Sequence, residues 1–230
     1  MTLIEIIIVV VIMALASAGI SMSLGAISRA NLKGGAGRLG GAMRYAYNRA
    51  VSQGMTVRVH FKLGSNTFSI EEAHGGVLLA SRADRANRLA QGDNGKIVDA
   101  IDPWVAAEAR IKHPDKPSVG VSPFGPLTNP SGEPIKRYTN IPLGRGVQFN
   151  KLIVAHEPEP RTTGEGSIHF FSGGHSEHAF VELGDGRDGV FTVEVSALTG
   201  RVKIYPEVRE SSESLHTEED DAWGSEVQDQ

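Results

Sequence analysis

From Ile6 to Ser28 the chain carries no charged side chain, and the run opens with Ile6, Ile7, Ile8, Val9, Val10, Val11, Ile12 and Met13. At about 1.5 Å per residue a helix of this length reaches about 34 Å, enough to cross a bilayer core of about 30 Å. The pattern predicts a membrane-spanning helix over 1–28. A cleaved signal peptide would place a basic segment ahead of a core of about 7 to 15 apolar residues, and no Lys or Arg precedes this run. A helix buried on all sides in a globular domain is disfavoured, because nothing else in the chain is apolar enough to surround it.

Beyond the span the pattern becomes one-sided. Leu32, Ala36, Leu39, Met43, Ala46 and Ala50 recur at steps of four and three, which aligns them on one helix face with Arg38, Arg44 and Arg49 off it. An amphipathic helix is therefore expected over 29–54, its stripe packed on a globular domain. Gly34, Gly35, Gly37, Gly40 and Gly41 weaken it, each by about 0.8 to 1 kcal/mol relative to Ala where exposed. They fit either close packing on a sheet or a segment that bends when subunits pack together. Past Gln53-Gly54, Val57, Val59, Phe61 and Leu63 alternate with Arg58, His60 and Lys62, the period of a half-buried strand. Gly64-Ser65-Asn66 is turn chemistry, and Phe68 and Ile70 begin a returning strand.

Residues 73–146 carry Gly and Pro at short intervals and little sustained period, so loops with short strands are expected, with a short helix at Trp104 to Arg110. A stretch this long is a natural place for partner-specific surface. From Gly146 onward, strands are expected at Val147–Val154, Ser167–Phe171, Ala179–Leu183, Val190–Val195 and Arg201–Tyr205, separated by Gly-rich turns. That spacing suggests antiparallel sheets or a β-sandwich in a domain spanning 55–206. The fold class expected is α+β. The tail, 207–230, holds nine acidic residues against Arg209 and reads as solvated and disordered. The functional alternative is docking on the basic region of an adjacent subunit, with Trp223 as an apolar anchor.

Composition narrows the function. With 23 basic and 27 acidic residues the net charge is −4, which gives the whole chain no electrostatic case for nucleic acid. The absence of cysteine removes disulfides, thiolate metal sites and cysteine nucleophiles. No phosphate-binding loop, dinucleotide fingerprint, His-Glu-x-x-His helix or Gly-x-Ser-x-Gly elbow occurs, so no enzyme, catalytic residue or cofactor is expected. His169, His175 and His178 are close in sequence but lack the rigid spacing of a zinc site. The Gly184-Asp-Gly-Arg-Asp-Gly189 segment carries two carboxylates, yet Arg187 opposes a cation and a hairpin turn explains the glycines. The basic stretch Arg29 to Lys62, with Tyr45 and Tyr47, is read as a solvated face near anionic lipid rather than a DNA-binding surface.

Glu5 is the exception within the oily opening. A carboxylate inside an apolar segment costs about 2.5 to 3.5 kcal/mol at mid-bilayer depth and less near the interface. It either lies at headgroup level or pairs with a cation, and the nearest candidate is a free amine at Met1 of a neighbouring copy. Met1-Thr2-Leu3-Ile4-Glu5 followed by this helix resembles the processed N-terminus of type IV pilins and type II secretion pseudopilins, usually Phe-Thr-Leu-Ile-Glu. The run Arg44 to Gly54 entering the first strand, Ile168 to Gly174 and Val193 to Val202 resemble the H-type minor pseudopilins and their pilus relatives, the GspH/FimT family. The resemblance covers roughly 1–72 and 146–205.

The resemblance implies a pilin-like fold and a structural role as a minor subunit at or near the tip of a type II secretion pseudopilus, supporting filament initiation and protein secretion. A minor pilin priming a type IV pilus is the close alternative, and a non-polymerising single-span ligand-binding protein the distant one. It further implies cleavage by a prepilin peptidase, N-methylation of Met1, and assembly through Glu5 and Met1. The partners would be other minor subunits, the major subunit and inner-membrane lipid, with the C-terminal domain in the periplasm. Arg38, Arg44, Arg49 and Trp223 are candidate partner contacts. Seven basic residues between Arg29 and Lys62, with no acidic one, would by the positive-inside rule hold this region in the cytoplasm. The opposite orientation leads to the expectation of a short basic leader ahead of Met1.

Overall fold

The computed structural model describes residues 2–74, 77–79, 100–112 and 122–209, and within the first helix the side chains of 2–15 and 27–53. Helix α1 (Leu3–Gln53) is continuous over 51 residues, about 76 Å at the standard rise. It stops at Gly54, which adopts a left-handed φ of 66° and returns its N–H to the carbonyl of Ala50, the C-terminal arrangement that glycine permits without steric cost. The stripe Leu32, Ala36, Leu39, Met43, Ala46 and Ala50 is entirely removed from solvent. Full burial of Leu32, Leu39 and Met43 is worth about 1.5 to 3 kcal/mol each.

The helix packs on two antiparallel sheets. In the first, β1 (Thr56–Lys62) lies between β2 (Thr67–Ala73) and β8 (Glu165–Phe170), with Val59 opposite Ile70 on one side and Ile168 on the other. The expected turn after β1 is a short 3-10 segment, Leu63–Ser65, closed by Asn66 at φ 52°. In the second sheet the order is β11 (Val202–Tyr205), β10 (Val190–Val195), β9 (Ala179–Gly184) and β7 (Gln148–Val154). Phe61 of β1 meets Phe149 of β7 edge to face, with ring centroids 5.4 Å apart. The result is a mixed helix and antiparallel-sheet fold, α+β as expected.

The glycines of α1 divide into two groups. A Cβ at Gly35 would lie 3.1 Å from the Leu143 carbonyl and from Val147, and one at Gly40 would lie 3.1 Å from Ile204. At Gly34, Gly37 and Gly41 nothing lies within 4 Å. Close packing therefore accounts for Gly35 and Gly40 alone.

The region read as loops with short strands over 73–146 carries two such strands towards its C-terminal end. β5 (Phe124–Pro126) and β6 (Ile141–Pro142) both pair with β2, and Leu127 and Leu143 are buried. Proline-rich sequence hides these strands because each is two or three residues long and sits at a sheet edge, where a missing N–H is tolerated. β3 (Leu78–Leu79) and β4 (Ala100–Ile101) form a separate two-stranded ribbon, and the expected short helix is α2 (Pro103–Lys112). The parts of that expectation on 80–99 and 113–121 lie outside the described residues.

Candidate functional site

Two places in the molecule depart from what a self-sufficient domain needs. The first is the start of α1. Every large apolar side chain described from Leu3 to Leu15 is at least half exposed, with Leu3 at 77% and Leu15 at 70%. Contiguous exposed apolar surface on this scale marks a site of interaction. Among the described residues no helix is long and apolar enough to cross a membrane. The described side chains here stop at Leu15, and the sequence continues uncharged to Ser28.

Thr2 is the N-cap of α1, and its backbone N–H donates to Glu5 Oε2 at 3.4 Å. This is the carboxylate half of a capping box, a use for Glu5 within a single chain. Met1, expected to supply the amine, lies outside the described residues.

The three arginines off the buried stripe have different surroundings. Arg49 donates to Glu72 Oε2 at 2.7 Å and to the Thr128 carbonyl at 2.6 Å. Burial pushes the Glu72 carboxyl up, but hydrogen bonds from Arg49 and from the Thr128 hydroxyl and N–H outweigh it and hold Glu72 below the usual range. Arg38 donates to the Pro142 carbonyl at 2.7 Å and the Leu143 carbonyl at 3.3 Å. Arg49 and Arg38 thus tie α1 to its own domain, whereas Arg44 is exposed. The basic character of Arg29 to Lys62 is also reduced by folding, since Arg58 pairs with Glu71 at 2.6 Å across the β1–β2 ladder. Strand pairing brings in acids that lie beyond the basic run in sequence.

The second place is a buried polar cluster. Alternation along β8 turns Ile168 and Phe170 toward the helix and His169 toward the opposite face, beside Arg58 of β1. The chain then turns through Gly173-Gly174 and returns so that Ser176 bridges Phe170 and Glu177 sits against His169. His156, just past the end of β7, comes in from the second sheet. Glu177 Oε1 is 2.5 Å from His156 Nδ1, and Glu177 Oε2 is 2.6 Å from His169 Nδ1 and 3.0 Å from the His169 N–H.

All three side chains are buried, with His169 fully so. Burial pushes the Glu177 carboxyl up. The charge of His169 and hydrogen bonds from both imidazoles reverse this and bring it to about 2. Glu177 is therefore ionised at neutral pH. Among the described residues its ion-pair partners are these two histidines. The Nε2 atoms of His156 and His169 are buried and have no hydrogen-bond partner among the described residues. Leaving such a group unsatisfied costs about 1 to 3 kcal/mol.

Sequence reading grouped His169 with His175 and His178, and the structure separates them. His175 is exposed and stacks on Phe171, while His178 lies 3.6 Å from Glu194. His156 and Glu177 were not anticipated. A hairpin register centred on Gly173-Gly174 places 177 opposite 169, so Glu177 was within reach of the sequence. His156 arrives through tertiary packing and left no local signal.

The Gly184–Gly189 turn uses its carboxylate internally. Asp185 Oδ1 accepts from the N–H groups of Arg187 at 2.9 Å and Gly189 at 3.2 Å. The Arg187 N–H is the main reason that the Asp185 carboxyl lies below its usual range. Of the acidic tail, 207–209 are described. The Glu207 carbonyl accepts from Thr192 Oγ1 at 2.7 Å, and Arg209 covers the Tyr205 ring at 4.2 Å. Trp223 lies outside the described residues. Comparison of the chain with protein-family models, with curated proteins and with solved structures finds no match in any of the three.

Proposed function

We propose that this chain is a structural minor subunit of a pilin-like filament, anchored in the inner membrane by the first half of α1 and carrying its β-rich domain in the periplasm. The observation that supports it is the division of one helix. Residues 3–15 expose their apolar side chains while Leu32 to Ala50 bury theirs on the domain. A helix docked by one half and bare on the other can be extracted from lipid and laid against sister helices without unfolding its domain. Glu5 stands at the head of the bare half, where an acid has a cost in lipid and a use against a neighbour's terminal amine.

The sequence likeness to H-type minor pseudopilins favours a place at or near the tip of a type II secretion pseudopilus. Priming of a type IV pilus uses the same helix, and a neighbouring secretin or retraction-motor gene separates the two systems. The prepilin peptidase, the major subunit and other minor subunits are the partners of this reading, and no catalysis belongs to it.

The experiment is Glu5→Ala in cells that assemble the filament. The variant is expected to insert and fold as the parent does but to fall sharply in filament incorporation, measured by co-isolation with the major subunit. Normal incorporation would remove Glu5 from assembly.

A further inference from the structure

We infer that His156, His169 and Glu177 form a buried site for one divalent transition-metal ion of the zinc type, joining the two sheets of the domain. The inference is independent of the filament reading, since it uses no residue of α1.

One nitrogen from each ring and one Glu177 oxygen lie within 4.8 Å of one another. Two imidazoles and a carboxylate are the donor types that zinc and its neighbours take, and three protein ligands with water in the fourth position is an established zinc arrangement. Calcium and magnesium are disfavoured, because they require six or more oxygens. In a tetrahedral site with bonds of about 2.0 to 2.2 Å, ligand atoms lie about 3.3 Å apart. The Glu177 contacts of 2.5 and 2.6 Å open to reach that value, and the widest separation closes by less than 2 Å.

Two further observations describe the surroundings of the cluster. The Nε2 atom of each ring is buried with no hydrogen-bond partner among the described residues, so the rings are incompletely satisfied as they stand, and a metal held through the two Nδ1 atoms leaves these Nε2 atoms as they are. The nearby arginines are paired elsewhere. Arg58 is balanced by Glu71 and Arg161 is bound to Glu157, whose carboxylate lies 3.9 Å from His156 Nε2. Glu177 has imidazoles alone as its ion-pair partners among the described residues. The Glu177 carboxylate is balanced either by a divalent cation or by a proton on one ring, which gives a metal-free clamp. The experiment separates these two.

The full chain, purified in detergent and stripped with a chelator, is loaded with Zn²⁺, desalted and assayed for metal. About one zinc per chain and a Tm that rises with Zn²⁺ concentration are expected. Glu177→Gln and His156→Gln should weaken binding by at least about 10-fold, whereas a His175→Ala/His178→Ala variant should bind as the parent does. Co²⁺ on the unsubstituted chain gives a second reading that does not depend on a variant folding: visible absorption bands of a tetrahedral site, bleached by Zn²⁺. No stoichiometric metal and a Tm indifferent to both zinc and chelator would overturn the site in favour of the protonated clamp. Zinc lost in the His175/His178 variant but kept in Glu177→Gln would overturn it in favour of a surface site.

Discussion

The two halves of α1 obey the same backbone geometry and solve opposite problems. Residues 32–50 are moderately apolar, interrupted by five glycines, and bury a narrow stripe completely on the two sheets. Residues 3–15 are apolar apart from Glu5, and each of their large apolar side chains is at least half exposed. The more hydrophobic half is thus the more exposed one, which is the reverse of what a self-contained domain does with its apolar residues. The comparison teaches that the second half is held by intramolecular packing, while the first half is specified for an environment that the domain does not provide.

The comparison can be broken most strongly by removing one half. Deleting residues 1–28 is expected to abolish membrane association while leaving a folded domain with near-parental Tm, read by fractionation and thermal denaturation. An unfolded product would mean that the halves are not separable. Single truncations sharpen the contrast. Leu39→Ala should lose about 2 to 5 kcal/mol by emptying a fully buried position, whereas Ile8→Ala should leave urea denaturation of the domain unchanged.

The Arg49–Glu72 contact that pins the second half to β2 should make stability pH-dependent. Glu72 is held below its unfolded value near 4.5, so its contribution is complete above that pH and is lost as pH falls through the lower folded value. Glu72→Gln should cost about 1 to 3 kcal/mol at neutral pH and flatten the acid side of a stability profile below pH 4.5. The smallest effect concerns the glycines. Gly37→Ala, in open space, should stabilise the domain by about 0.5 to 1 kcal/mol. Gly40→Ala, which crowds Ile204, should fail to gain that amount in the same denaturation experiment.

How much of this was legible in the sequence follows from which contacts are local. Helix α1, its stop at Gly54 and the buried stripe were readable because a 3.6-residue period records one face directly. The strands from Gln148 to Tyr205 were readable to within one or two residues, because alternation and Gly-rich turns mark their ends. The strands β5 and β6 were not, since prolines at an edge leave no period to detect. The intramolecular engagement of Arg38 and Arg49 was hidden because their acceptors, Leu143 and Glu72, lie far along the chain. Of the buried cluster, the sequence pointed at one histidine and the wrong neighbours. His156 joins His169 only when the two sheets come together, a contact without any local pattern.

The retention of the bare half of α1 for lipid and then for sister helices is tested most directly by accessibility. The chain lacks cysteine, so single substitutions Ile7→Cys, Val10→Cys and Ser52→Cys each introduce one thiol for a water-soluble maleimide applied to intact membranes. The account predicts that positions 7 and 10 are protected in the membrane and in the assembled filament, while position 52, exposed on the domain half of the same helix, is labelled in both. Labelling of positions 7 and 10 as fast as position 52 would contradict it.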